Sequence, residues 1–361
     1  MNIFLHLIYD FFKMLVWGTL RVYYRHILLL NRSQLDSKSP LLIIANHPNT
    51  ISDPLLVVVH LREKVFFLAN YGLFKNPIAS WLLNRLYCIP VKRPQDVDGT
   101  PQNNDDAFRR CDEHLQKGGN LFVAPEGVSF MERRIQPLKF GAVRIGFSAE
   151  IKNNFDMNLR VLPVGVSYDA PNQFRSRVVV NAGELMDLRD WGTAYHENPK
   201  KAMDDLRSAM EKRLQDLTIH CADAAEGVFL QKLEQVADSE TKANTQNWFE
   251  RGQKWVQILK QLKTNEPQTY IHLQHQTETY FAQYPVAVPA DSWRLLKLII
   301  GFPVFIYGFF NHIIALAVPY FLNKKMNMYV GYHSTVKYLS GWFSFGFSYY
   351  YQIKYFNAYF N

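Results

Sequence analysis

One stretch of five residues without a polar side-chain atom, Leu41-Leu42-Ile43-Ile44-Ala45, constrains this chain more than any other feature. It is too short for a buried helix, and it lacks the polar alternation of a strand with one wet face. A run of this kind fits a strand covered on both sides. Leu121-Phe122-Val123 repeats the pattern, and Val65-Phe66-Phe67-Leu68, Cys88–Val91, Val161–Tyr168 and Arg177–Ala182 add further strand signals. Helical segments fall between them. Asp53-Pro54 opens one, with Asp53 as N-cap and Pro54 at the first helical position. Ile78–Leu86, Gly141–Glu150 and the amphipathic Asp105–Lys117, stopped by Gly118-Gly119, supply others. Apolar strands alternating with helices predict an α/β fold, a mixed sheet covered by helices, over residues 36–220.

The two ends have another character. Residues 1–35 are rich in Phe, Leu, Tyr and Trp, and Asp10, Lys13, Arg21 and Arg25 interrupt them. His6, Asp10, Lys13, Arg21 and Arg25 share one side of a helix, and Phe4, Ile8, Phe11, Leu15 and Val22 another. That pattern predicts an amphipathic helix in the membrane interface, with an ordinary core-packed surface helix as the alternative. Charges break the apolar run, and no small-residue cleavage site follows, so a signal peptide is not expected. Residues 221–290 are polar and helix-prone, a helical subdomain without visible chemistry. Residues 291–361 form a hydrophobic membrane region. Leu298–Leu322 contains no Asp, Glu, Lys or Arg and is long enough to span a bilayer. Pro303, Gly308 and Pro319 are expected to kink or split it. The Tyr/Phe-rich stretch from Tyr338 to Ile353 looks short for a full span. Basic residues flank the first segment on both sides, so charge gives no orientation.

With 361 residues, 48% of them hydrophobic, the chain can bury a sizeable core and keep apolar surface to spare. Its net charge of +8 favours a polyanionic partner. No zinc-finger spacing, RNA-recognition signature or base-reading helix is present, so a lipid surface is favoured over nucleic acid. Cys88, Cys111 and Cys221 are odd in number and scattered, which fits reduced thiols in a cytosol-facing protein and no metal site.

Five short motifs carry chemistry: Asn46-His47-Pro48-Asn49-Thr50-Ile51-Ser52-Asp53, Cys88-Ile89-Pro90-Val91-Lys92-Arg93, Ala124-Pro125-Glu126-Gly127, Pro137-Leu138-Lys139-Phe140-Gly141-Ala142 and Val161-Leu162-Pro163-Val164-Gly165. His47 follows an apolar strand at its carboxyl end, where α/β sheets place ligands. A neutral imidazole there can take a proton from a hydroxyl. Asp53 can fix its tautomer and stabilise the imidazolium. Lys92 and Arg93 sit just past a strand, where a guanidinium can grip a phosphate with two hydrogen bonds. Glu126 lies in a turn and can bind a glycerol hydroxyl or order the loop, while Gly127 permits close backbone approach. Lys139 precedes a helix start suited to an anion, with Arg133 and Arg134 nearby. Taken singly, each has a plainer reading: an N-cap, a solvated basic pair, an ordinary turn.

Together the five motifs resemble the glycerol-phosphate and lysophosphatidate acyltransferase family, over roughly residues 40–185. The resemblance implies that His47 and Asp53 are catalytic. It implies substrate-binding roles for Arg93, Glu126 and Gly127, to which Asn46, Lys92, Ser129, Arg133, Arg134 and Lys139 are added as candidates. It further implies acyl-CoA or acyl-carrier protein as the co-substrate, membrane lipids as partners, and no metal or resident cofactor. The catalytic domain is then expected to face the cytoplasm, at the inner membrane in a bacterium. Two positions depart from the family pattern. Five residues separate His47 from Asp53 where four are usual, and Val128-Ser129 replaces the usual Thr-Arg after Glu-Gly. The Asn-His-Pro-Asn, Glu-Gly-x-Ser and Pro-Leu-Lys-x-Gly blocks resemble a glycerol-3-phosphate acyltransferase branch, with Arg133 or Arg134 in place of the missing Arg. Two rival expectations remain: acyl transfer to another amphiphile, such as an ornithine or amino lipid, and a non-catalytic lipid-binding protein of the same fold.

Overall fold

The computed structural model describes residues 3–38, 40–85, 87–92, 103–240, 244–284 and 293–360. An eight-stranded mixed sheet lies at its centre, with strands β1 His26–Leu30, β2 Leu41–Ala45, β3 Val65–Asn70, β4 Cys88–Val91, β5 Asn120–Val123, β6 Arg160–Tyr168, β7 Arg177–Ala182 and β8 Met186–Asp187. The spatial order is β1-β7-β6-β2-β5-β3-β4, with β8 paired to β6. Strands β6, β2, β5, β3 and β4 run parallel, so their carboxyl ends share one edge. Strand β7 is antiparallel to β6 and parallel to β1. Every residue of β2 is buried, as its unbroken apolar run requires.

The helices are α1 Ile3–Tyr23, α2 Arg32–Leu35, α3 Ser52–Val58, α4 Pro77–Arg85, α5 Asp105–Gln116, α6 Gly141–Ile151, α7 Gly192–Glu197, α8 Pro199–Asp216, α9 Ala224–Glu240, α10 Thr245–Asn265, α11 Pro267–Gln283, α12 Arg294–Met326 and α13 His333–Phe360. One core cluster joins the sheet to α5, α6 and α8 through residues such as Leu115, Phe147, Leu206 and Met210. A second, on the other face, joins it to α1 and α3 through Leu20, Tyr23, Leu56 and Val57, and takes in Tyr338 of α13. A third seats α9, α10 and α11 against β1 and β7 around Trp248, Phe249 and Leu230.

Several expectations are corrected. The amphipathic helix stops at Tyr23, and His26–Leu30 becomes an edge strand, because its aliphatic run pairs with Arg177–Asn181 of β7. Tyr9, Leu20 and Tyr23 form the buried side of α1, and Lys13 turns its ammonium inward to the Leu61 carbonyl. Leu7, Phe11, Met14, Trp17 and Val22 are exposed, so the helix has apolar residues both inside and out. Asp53 is not an N-cap. The first helical residue is Ser52, and the Asp53 carboxylate turns back onto the Asn49 N–H instead. Helix α12 runs unbroken through Pro303 and Pro319 for 33 residues. At ~1.5 Å per residue it is about 50 Å long, more than a bilayer's hydrocarbon core needs. Helix α13 has 28 residues and is longer than its apolar stretch suggested. The two helices pack on each other, with Ser344 donating to the Ala315 carbonyl and Gln352 to the Asn311 carbonyl. Only Leu295–Met326 is, among the described residues, long and apolar enough to cross a membrane, and just 6% of its most apolar window is buried.

Candidate active site

Strand β2 ends at Ala45, and the next residue splices the chain back into the sheet. Asn46 donates its amide N–H to the Val166 carbonyl and accepts the Val166 N–H at 2.7 Å. Its side chain thus stands in for the next pair of the β2–β6 ladder while the backbone turns away. That occupies both polar ends of the amide, so Asn46 shapes the loop start. His47 follows on the loop. Its Nδ1 lies 3.1 Å from Oδ2 of Asp53. The ring is 20% exposed, Asp53 is fully buried, and Nε2 has no hydrogen-bond partner among the described residues. This is the arrangement of a histidine oriented on one nitrogen and open on the other.

Asp53 is held from three directions. Oδ2 also accepts the Asn49 N–H at 2.7 Å, and Oδ1 accepts the Tyr168 hydroxyl at 2.6 Å. Burial, and then the nearby Asp53 charge, push the Tyr168 hydroxyl well above the usual tyrosine range, so it stays a proton donor. A buried carboxylate with this many donors is compensated without leaving its place. Tyr168 and Asn49 were not singled out as site residues from the sequence. Tyr168 ends a strand parallel to β2, so its position at the carboxyl edge was the available signal.

Between His47 and Asp53 the backbone passes through the left-handed region at Thr50, whose φ is 44°. A β-branched residue in the left-handed region costs on the order of 1–3 kcal/mol and needs outside support. Support comes from Ser129, whose Oγ accepts the Thr50 N–H at 3.1 Å, and from Gly331, whose carbonyl accepts the Thr50 hydroxyl at 2.8 Å. The two departures from the family pattern therefore touch. Ser129 braces the loop between His47 and Asp53.

Glu126 leaves the end of β5 and is buried beside His47. Oε1 accepts the His47 N–H and Oε2 the Gln136 N–H, both at 2.8 Å. Of the two roles open to it, ordering the loop is the one this geometry performs. Burial pushes its carboxyl up to about 7, against the two backbone donors that favour the charged form. Gly127 has a φ of +76°, and a Cβ there would lie 3.3 Å from Cγ of Lys139, so the two motifs meet at this glycine. Lys139 is exposed, and its N–H bonds the Pro125 carbonyl at 2.7 Å.

The remaining cations separate. Arg133 is drawn inward to Glu234 of α9 at 2.9 Å, both side chains largely buried, and so fastens the loop to the helical subdomain. Arg134 is more open, lying 3.1 Å from the Gln136 amide oxygen and 3.8 Å from Glu132. Lys92 extends from the edge strand β4, three strands from β2, with its ammonium 5.3 Å from the Tyr71 ring centre. Arg93 lies outside the described residues. A cavity of about 400 Å³ opens beside the loop, walled by Asn46, Pro48, Arg133, Arg134, Tyr168 and Gln231 among others. Among the described residues, no three His, Cys, Asp or Glu side chains converge as a metal ion's ligands would.

Residues 26–167 match the Acyltransferase family model. Glycerol-3-phosphate O-acyltransferase 1 of Saccharomyces cerevisiae is 31% identical over 119 residues, 32% of this chain and 16% of the yeast protein. The chloroplastic 1-acyl-sn-glycerol-3-phosphate acyltransferase BAT2 of Brassica napus is 27% identical over 110 residues, 30% of each chain. The chain thus matches less than a third of the length of these relatives. The crystal structure of the 1-acyl-sn-glycerophosphate acyltransferase PlsC from Thermotoga maritima aligns with 58% of this chain and 80% of its own, at 17% identity and a TM-score of 0.40.

Proposed function

We propose, from the match of residues 26–167 to the Acyltransferase family model, that this protein moves a fatty acyl group from a thioester to a hydroxyl of glycerol 3-phosphate or lysophosphatidate. The observation that carries the reading is the 3.1 Å contact between His47 and a fully buried Asp53, with Nε2 left open. In this reading Nε2 takes the proton of the acceptor hydroxyl as its oxygen attacks the thioester carbonyl. The tetrahedral intermediate collapses, the C–S bond breaks, and the imidazolium returns the proton to the leaving thiolate. Asp53 compensates the imidazolium meanwhile, oriented by Tyr168 and Asn49. General base work of this kind is worth typically ~10²–10⁴-fold. Lys139 and Arg134, with Arg93, are the proposed phosphate cations, and a phosphorylated acceptor suits the net charge of +8.

The donor in this proposal is an acyl-CoA or acyl-carrier protein, and no resident metal or cofactor takes part. Helix α12 is proposed to cross a bilayer, and the sheet with its cationic loops is placed in this proposal on the cytoplasmic side, where such thioesters occur. Support comes from the apolar surface of α12, with Ile300, Val304, Tyr307, Phe310 and Ile314 all exposed. The test is thiol release from acyl-CoA with glycerol 3-phosphate, lysophosphatidate and an ornithine lipid supplied in parallel, in wild type and His47→Ala. Acylation of one phosphorylated acceptor, abolished in the variant, is expected. Transfer only to the amino lipid would move the acceptor class, and release of no thiol under any condition would leave a lipid-binding protein.

A further inference from the structure

The His47 loop is bonded to a part of the chain far outside the acyltransferase match. Thr50 donates its hydroxyl to the Gly331 carbonyl, 281 residues away. Ser334 donates to the Asn49 amide oxygen at 2.9 Å and lies 3.1 Å from the Ser52 hydroxyl. Tyr338 lies 3.3 Å from Ser52 and donates to Thr335. Asn49, Thr50, Ser52, Ser334 and Thr335 are all buried. The backbone passes so close that a Cβ on Gly331 would sit 3.0 Å from the Thr50 methyl. The same segment braces two walls of the cavity that Asn46 and Pro48 line: Tyr329 accepts the Met131 N–H at 2.6 Å, and Lys337 donates to the Asn172 carbonyl at 2.8 Å.

A polar cluster of this size in an otherwise apolar hairpin is costly unless every member is paired, and it then selects one arrangement over others. Two hydrophobic helices need no hydrogen bonds to lie against a domain. The cluster falls on three of the five residues between His47 and Asp53: Asn49, whose N–H holds Asp53; Thr50, held in a strained conformation; and Ser52, the first residue of α3.

We propose that residues 329–338 position the His47–Asp53 pair, with Ser334 and the Gly331 carbonyl as positioning groups that touch neither substrate. The inference rests on the acyltransferase reading of that pair. It makes the active site composite, completed by the head of the C-terminal hairpin.

The full chain, in phosphatidylglycerol-containing vesicles, is compared with Ser334→Ala, Thr50→Val and Thr50→Ser. Thr50→Val keeps the shape and loses the hydroxyl; Thr50→Ser keeps the hydroxyl. Ser334→Ala and Thr50→Val are expected to lower kcat about tenfold with KM for both substrates unchanged, and Thr50→Ser to stay within about twofold of wild type. Amide exchange at Asn49 and Thr50 should quicken in the first two variants and not in the third, a readout that needs no turnover. Unchanged kcat and unchanged exchange in Ser334→Ala and Thr50→Val would overturn the inference. So would a joint fall in kcat, rise in KM and loss of thermal stability, since that is plain loss of fold. A wild type inactive on every acceptor would sink the acyltransferase reading, while the exchange data would still decide whether the hairpin holds the loop.

Discussion

The loop at the end of β2 and the outer surface of the α12–α13 hairpin are opposites in how they meet their needs. The loop is polar, buried and satisfied from within: Asp53, Glu126 and Asn46 each have named donors or acceptors for both side-chain polar atoms. The hairpin surface is apolar, exposed and left uncovered by the described residues. A soluble monomer rarely leaves so much contiguous apolar area bare. The difference teaches that the polar groups of this fold are met by its own backbone and side chains, while its apolar hairpin surface is not.

The sharpest way to break the comparison is on the loop side. His47→Ala is expected to lose between ~10²- and 10⁴-fold in turnover, and purified mutant with near-normal rates would remove the imidazole from the chemistry. On the hairpin side, Phe310→Lys places a charge in the middle of α12. It should cost roughly 3 kcal/mol of insertion if that segment spans, read as a fall in the alkali-resistant membrane fraction; full retention would deny the span.

A third test uses the Glu126 carboxyl, pushed up to about 7 by burial. Its unfolded value lies near ~4.3. Below that, both states hold the proton and nothing is lost. As pH rises toward about 7 the unfolded chain ionises first, so the folded state loses stability, by roughly 4 kcal/mol at most once both are ionised. Denaturant unfolding at pH 5 and pH 8 should therefore show a drop in wild type that Glu126→Gln lacks. An equal drop in both proteins would mean that another group is responsible.

Smaller effects sharpen the picture. Tyr168→Phe removes one donor from a buried carboxylate, and turnover should fall about tenfold, equivalent to ~1.4 kcal/mol, with binding of both substrates unchanged. Loss confined to KM would instead make Tyr168 a substrate contact. Lys139→Ala, at an exposed position, should raise KM for the phosphorylated acceptor only a few-fold, and an unchanged KM would take Lys139 out of phosphate binding.

The sheet was readable in the sequence because its central strands are apolar on both faces, and an unbroken run as short as Leu41–Ala45 suits a covered strand and little else. The edge strand His26–Leu30 was not, since a short aliphatic run after an amphipathic helix reads as more helix until β7 offers it a partner. The His47–Asp53 pair could be found from residue type and spacing. Asn46, Arg133 and Glu126 drew attention for their chemistry, yet their bonding partners lie on other segments: Val166, Glu234 and Gln136. No local pattern announces such pairings. Tyr168 and Ser334 carry no local signal for the same reason, each acting on a loop more than a hundred residues away.

The three thiols offer an unplanned convenience. Cys88, Cys111 and Cys221 are all buried, and burial pushes each up to about 12. At neutral pH they are protonated and out of reach of maleimides. A single cysteine introduced at the hairpin tip can therefore carry a spin label or fluorophore without first stripping the natural sulfhydryls, and its depth in a lipid disc can be measured on an otherwise unaltered chain.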